Sequence, residues 1–270
     1  MQEAILEGVN LEKSATGSLC FTVENISDEL KNVVRKRLSE ICHGAAKAAR
    51  TSTIYSYKKT LTAFFERFDD KPPATQKGMI GELLIHVIFL HFENEFRAAS
   101  PFFNMEENSI KKGFDLVLNH IGTSEIWFVE VKAGECGTDT SINKLGSLLS
   151  LAKNGLKEAL NSDRNTLWQN AVNGANLVLQ NSGLKSQIEI LLEKYNEKAV
   201  EGISVSTDYN AVLVAVCFCG DKAFASGVEF ERRHSTQKDM NEFRDLMSIA
   251  LQKDTIQSVI DFLRGEMGDG

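Results

Sequence analysis

Residues 111–134, KKGFDLVLNHIGTSEIWFVEVKAG, decide how the rest of the chain is read. Two runs suited to β-strands, residues 113–118 and 126–132, flank residues 119–124, which are rich in turn formers, and the pattern predicts a hairpin. The second run is aromatic and β-branched, as a buried strand should be, yet it ends on Glu130 and Lys132. Residues two apart on a strand leave on the same face, so Glu130 and Lys132 project together, with Phe128 before them. Asp115 opens the neighbouring strand and lies beside them if the hairpin pairs in this register. Two carboxylates and an ammonium then meet at one place. Ionised groups are costly to bury singly, so such a cluster usually binds a cation or does chemistry. The plainer alternative is an edge strand whose Glu-x-Lys triplet faces water, the commoner meaning of that triplet. Apolar residues on both sides of the triplet weigh against it, and it leaves Asp115 and Glu82 unexplained.

Upstream, Thr75 reads as the cap of a helix whose body, residues 78–92, is apolar almost all round, the mark of a buried helix. Glu82 sits inside that body, and carboxylates are rarely fully buried unless paired. Gly78 and Gly81 beside it allow close backbone approach, for a site or for packing against a sheet. His86, one turn on, shares the side of Glu82 but is more often a hydrogen-bonded core histidine.

The first 27 residues are mixed, with a short strand expected at 18–23. Ser27 or Asp28 caps a helix carrying Leu30, Val33, Val34, Leu38 and Ile41 at helical spacing. Lys31, Arg35, Lys36 and Arg37 on its other side read as a solvated face, with phosphate contact the lesser alternative. Another amphipathic helix is expected over 53–68, and residues 69–73, Asp-Asp-Lys-Pro-Pro, read as a linker. The division expected is a mainly helical N-terminal subdomain over 1–70 and a larger α/β domain over 71–270 that ends in a helix. Within the latter, residues 96–103 read as a first strand, 104–112 as a polar loop, 138–180 as a long helical region and 186–199 as a helix. Residues 209–219 are apolar on both faces, as a central strand covered by helices would be. The last helix is expected over 239–266.

Composition narrows the class. The chain has 270 residues, 43% of them hydrophobic, which is ordinary for a soluble globular protein. No apolar run approaches the roughly 20 residues of a membrane span, and the acidic N-terminus lacks a signal-peptide layout. Five cysteines, Cys20, Cys42, Cys136, Cys217 and Cys219, are odd in number and suit neither a disulfide framework nor zinc-ligand spacing. Cytoplasmic residence with reduced thiols is expected. Cys217 and Cys219 share a strand face, where small buried hydrophobes are a commoner reading than a metal or redox pair. A net charge of −7 argues mildly against binding nucleic acid by bulk charge alone.

The order is a helix with Glu82, a strand, a strand with Asp115, a strand with Glu130 and Lys132, a helix and a strand. With Gly81-Glu82, Gly113-Phe114-Asp115 and Glu130-Val131-Lys132, it resembles the restriction-endonuclease-like nucleases, the PD-(D/E)xK superfamily, over residues 75 to about 220. No proline precedes Asp115, where the superfamily name would place one. The resemblance implies a mixed central sheet flanked by helices and an Mg²⁺-dependent deoxyribonuclease with Glu82, Asp115, Glu130 and Lys132 as its catalytic set. The residue types fit that chemistry. Mg²⁺ is a hard cation that takes carboxylates, waters and phosphate oxygens, so Asp115 and Glu130 can hold it, with the Val131 backbone carbonyl as a third ligand and Glu82 through water. Mn²⁺ can substitute. Lys132 can orient or deprotonate the attacking water and stabilise developing charge.

A narrower resemblance is to the HamA family, the nuclease-like subunits of the bacterial Hachiman anti-phage defence. It implies DNA as substrate and a complex with an ATP-dependent helicase resembling HamB that restrains and targets the nuclease, with no membrane involved. The alternative is a catalytically inactive nuclease-fold module that binds DNA or a partner protein. The intact set of four residues argues against it.

Overall fold

The computed structural model describes residues 2–102 and 113–268. Its strands are β1 (Gln2–Leu6), β2 (Val9–Lys13), β3 (Ser18–Val23), β4 (Phe96–Ala98), β5 (Leu116–His120), β6 (Ile126–Glu135), β7 (Asn210–Phe218) and β8 (Asp245–Lys253). Among the described residues they form one mixed sheet in the order β1-β2-β3-β8-β7-β6-β5-β4. The centre, β3-β8-β7-β6, is parallel, and an antiparallel pair extends it on each side. Every residue of β7 is buried, which is why its sequence is apolar on both faces. The expected addition of this strand to the hairpin is borne out: Val129 of β6 lies opposite Val212 of β7.

Helices cover both faces. On one lie α1 (Asp28–His43), α3 (Tyr57–Phe68), α4 (Pro73–Phe92) and α9 (Ile256–Gly268), packed on Val129, Val131, Val214 and Val216. On the other lie α5 (Ser141–Leu160), α6 (Asn165–Val178), α7 (Ser182–Val200) and α8 (Gly227–Lys238), packed on Phe128, Leu213 and Ala215. A four-residue turn, α2 (Ala45–Ala48), follows α1. The α/β class and the mixed sheet flanked by helices thus match the reading of the sequence.

Several boundaries differ. Residues 2–23 are not merely mixed: they form three strands, the first two turning at Gly8, whose φ of 74° suits glycine. Helices then follow, with Ser27 capping α1 by accepting the Leu30 N–H at 3.2 Å. Lys31, Arg35 and Arg37 on its charged side pair with Asp28, Glu266 and Glu40, the solvated face expected. α4 starts at Pro73 rather than at a Thr75 cap, because proline needs no N–H at a helix's first position. The strand expected over 96–103 is only three residues long in the described part, and the polar loop of 104–112 lies outside the described residues. The helical region of 138–180 breaks after Leu160 into α5 and α6.

The largest correction is at the C-terminus. Residues 239–266 are not one helix, because β8 occupies Asp245–Lys253 and α9 begins only at Ile256. Leu246, Ile249 and Ala250 fit helical spacing as well as strand alternation. The vacancy between β3 and β7 decides in favour of the strand, since pairing on both edges outweighs local propensity.

Candidate active site

The site forms where one strand stops and its neighbour continues. β5 and β6 pair as far as Leu116 opposite Val129, whereas β7 accompanies β6 on its other edge to Glu135. Asp115 ends the hairpin ladder. Its Oδ2 accepts the Val131 backbone N–H at 2.7 Å, where a strand carbonyl would otherwise stand. The strand expected at 113–118 therefore begins at Leu116 instead. A residue's N–H and C=O leave a strand on the same edge, so the Val131 carbonyl points into the same notch as the Asp115 carboxylate.

Phe128, Glu130 and Lys132 share the face of β6 that meets α5, as alternation requires. Lys132 Nζ donates to Glu130 Oε1 at 2.5 Å. Glu130 is tucked under α5, where a Cβ on Gly155 would lie 3.0 Å from its Oε1. A side chain at 155 would push this carboxylate out of place. Burial acts to lower the Lys132 pKa, but the charge and hydrogen bond of Glu130, with the charges of Asp115 and Glu82, outweigh it, so the net shift is upward.

Glu82 approaches from the opposite layer. Gly81 marks where α4 touches the sheet, since a Cβ there would stand 2.7 Å from Ala133 Cβ and 3.4 Å from Val216 Cβ. This close approach sets Glu82 near the end of β6, and its charge is felt at Lys132. His86, fully buried, uses Nδ1 on the Glu82 carbonyl at 2.9 Å and packs on Phe102, as a core histidine does. All four acidic and basic residues singled out in the sequence are thus coupled electrostatically, three of them at the notch.

The donor set fits a hard divalent cation: two carboxylates and a backbone carbonyl, all oxygen, beside a gap in the ladder. The Lys132 ammonium holds the positive charge against Glu130 in the arrangement seen. Two cavities, of 630 and 550 Å³, lie elsewhere and include none of the four residues.

Three neighbours escaped the sequence reading. Gly155 could have been noticed as a glycine inside a helical pattern, which has a packing reason more often than not. Lys144, in the first turns of α5, passes over Gly134, with its Cε 2.8 Å from where a Cβ would be. Lys77 of α4 pairs with Glu135 at 3.0 Å. No local pattern marks these two lysines out, because only the tertiary fold brings them to the end of β6.

Fold and site together define a mixed-sheet α/β protein in which carboxylates and one lysine gather at the broken end of a hairpin. A family model described as HamA matches residues 4–262, and the chain belongs to the HamA family. Membership ties it to the Hachiman anti-phage defence. No curated protein matches the chain.

Proposed function

We propose that the protein is a metal-dependent deoxyribonuclease of anti-phage defence, hydrolysing phosphodiester bonds under the control of a partner ATP-dependent helicase resembling HamB. The observation that carries this reading is the meeting of Asp115, Glu130 and Lys132 where β5 ends, with the charge of Glu82 added from α4. Membership of the HamA family supports it, as does the order of elements shared with the PD-(D/E)xK nucleases.

Asp115, Glu130 and the Val131 carbonyl would hold Mg²⁺, or Mn²⁺ in its place, with Glu82 reaching it through water. The cation would supply Lewis-acid polarisation of the phosphate and acidify a water. The protein's own groups do the rest. The Val131 N–H fixes the Asp115 carboxylate in orientation. Lys132, which the structure shows bonded to Glu130, would donate to a phosphate oxygen and offset the charge that builds on it in the transition state. Lys144 and Lys77 flank the same strand end and offer further phosphate contacts. A site beside a strand edge admits a polymer backbone more readily than a closed pocket would.

The net charge of −7 leaves little general attraction for DNA, which favours delivery by a partner. The test is cleavage of DNA by the chain co-purified with the helicase from its native host, with and without Mg²⁺. Metal-dependent products that vanish in Asp115→Asn and in Lys132→Ala support the proposal. Saturable DNA or partner binding with no turnover under any divalent cation would point instead to a binding module.

A further inference from the structure

The structure brings Cys136 together with Cys217 and Cys219, which are far from it in the sequence. Cys136 follows β6, Cys217 is near the end of β7 and Cys219 lies just beyond it. Their sulfurs all lie within 4.8 Å of one another, and the residues are 4%, 0% and 1% exposed. Cys136 Sγ is 3.2 Å from Cys217 Sγ, and Cys219 Sγ is 3.8 Å from Cys217 Sγ. Cys20 and Cys42, also buried, lie outside this cluster and act as ordinary small core residues.

We propose that Cys136, Cys217 and Cys219 are thiolate ligands of a zinc ion that ties the ends of β6 and β7 to the start of α5. Zinc bonds thiolate sulfur at about 2.3 Å, which makes the edge of its tetrahedron about 3.8 Å. Cys217 and Cys219 already stand at that separation, Cys136 needs to move about 0.6 Å away from Cys217 to reach the tetrahedral edge of about 3.8 Å, and all three sulfurs lie within 4.8 Å of one another. The fourth ligand would be Ser141 Oγ, which is 3.7 Å from Cys136 Sγ. Ser141 commits its own proton to the Ala223 carbonyl at 2.6 Å, so its oxygen faces the sulfurs as an acceptor. Second-shell bonds of this kind orient metal ligands.

Electrostatics favour the same ion. Ser141 opens α5, a 20-residue helix, so the thiolates would gather at its positive end. Binding expels the thiol protons to solvent, and three thiolates with Zn²⁺ leave one net negative charge, which that helix end stabilises. Soft sulfur ligands select against Mg²⁺, so this centre is chemically distinct from the carboxylate site. Its location gives it a structural role, since Cys136 lies four residues past Lys132 and α5 carries the glycine that seats Glu130.

The test is the metal content of the full-length wild-type chain, purified under reducing conditions and dialysed to remove loosely held ions. One zinc per chain is expected, and growth on cobalt should give the thiolate-to-cobalt charge-transfer absorption of a tetrahedral site. Titration with a mercurial reagent should release the zinc in step with thiol modification. Cys136→Ser should lose the ion and melt at a lower temperature, while Cys20→Ser and Cys42→Ser should retain it. Wild-type protein that carries no zinc and takes up neither zinc nor cobalt would overturn the proposal. So would full metal content in Cys136→Ser, or a Cys136–Cys217 disulfide in the isolated protein. The wild-type measurements decide the matter even if a cysteine variant fails to fold.

Discussion

If the proposed nuclease reading holds, replacing Lys132 with alanine should separate metal binding from catalysis. In the structure the ammonium sits 2.5 Å from Glu130 and offsets the charges of Asp115 and Glu82. A hydrogen bond to a charged group is worth about 1.5–3 kcal/mol. Lys132 is 37% exposed, and solvent screening brings the pair down toward the roughly 1 kcal/mol of a surface ion pair. The metal-free variant should therefore lose about 1 kcal/mol, or about 2 °C in Tm for a chain of this size. With a cation bound, the sign reverses, because a repelling charge has gone. Mn²⁺ should bind with unchanged affinity or up to about fivefold more tightly. Cleavage should fall by about 10²–10⁴-fold, the usual cost of losing an acid–base group or charge stabiliser. That loss is worth about 3–5 kcal/mol of barrier, well beyond anything the stability change explains. Calorimetry with Mn²⁺, a melting curve and a timed DNA digest on the same preparation give the three readouts. Wild-type cleavage by Lys132→Ala would refute the assignment of this residue, and loss of Mn²⁺ binding would refute the division of labour between lysine and carboxylates.

Asp115 has both a structural and a proposed metal-binding job, and two variants divide them. Asp115→Asn keeps an acceptor for the Val131 N–H and should melt near the wild type while losing Mn²⁺ binding, whereas Asp115→Ala should also lose about 1–3 kcal/mol for the stranded backbone donor. Equal melting of the two would show that the hydrogen bond does not hold the ladder end. Gly81→Ala should destabilise by about 1–3 kcal/mol, because its methyl would stand 2.7 Å from Ala133 Cβ and force α4 off the sheet; a variant as stable as the wild type in urea would contradict that packing. His234, buried between Ser248 Oγ at 2.9 Å and the Thr16 carbonyl at 3.0 Å, has its pKa lowered mainly by burial. The folded state thus takes up a proton less readily than the unfolded one, so this contribution is present above about pH 6.5 and is lost as the pH falls below it. His43 and His91 shift the same way, also through burial. Tm should drop between pH 7.5 and 5.5, and less steeply in His234→Gln; identical slopes in the two proteins would exclude His234 as a contributor.

The parts of the fold that were legible in the sequence are those with a strong local signal. Residues 211–219 are apolar without interruption because β7 is covered on both faces and paired on both edges, so no other reading competes. Ser27 announces α1 because a serine cap and the helical spacing behind it agree. β8 was not legible, since its residues are half-helical in pattern and are made a strand by the slot between β3 and β7. β2 likewise takes its state from pairing onto β3, and β1 from pairing onto β2. At the site, Glu130 and Lys132 could be placed on one face from the period of a strand alone. Gly155, Lys144 and the Cys136–Cys217–Cys219 cluster could not, because each depends on which helix or strand end lands beside β6.

The early stop of β5 is the feature on which structure and proposed chemistry converge. A ladder that continued past Leu116 would satisfy the Val131 N–H with a backbone carbonyl and bury the Val131 carbonyl in the sheet. Placing Asp115 at that point exchanges a neutral acceptor for a carboxylate without stranding the donor, since the 2.7 Å bond remains. The exchange puts the Asp115 charge at the edge of β6, where it is felt at Lys132 together with that of Glu130. A negative centre of this kind repels itself unless a cation joins it. In the arrangement described, Lys132 supplies that cation from within the chain. Under the proposed mechanism, an ion that took Glu130 Oε1 would displace the lysine that now holds it, and would so couple occupancy of the site to release of Lys132 toward substrate.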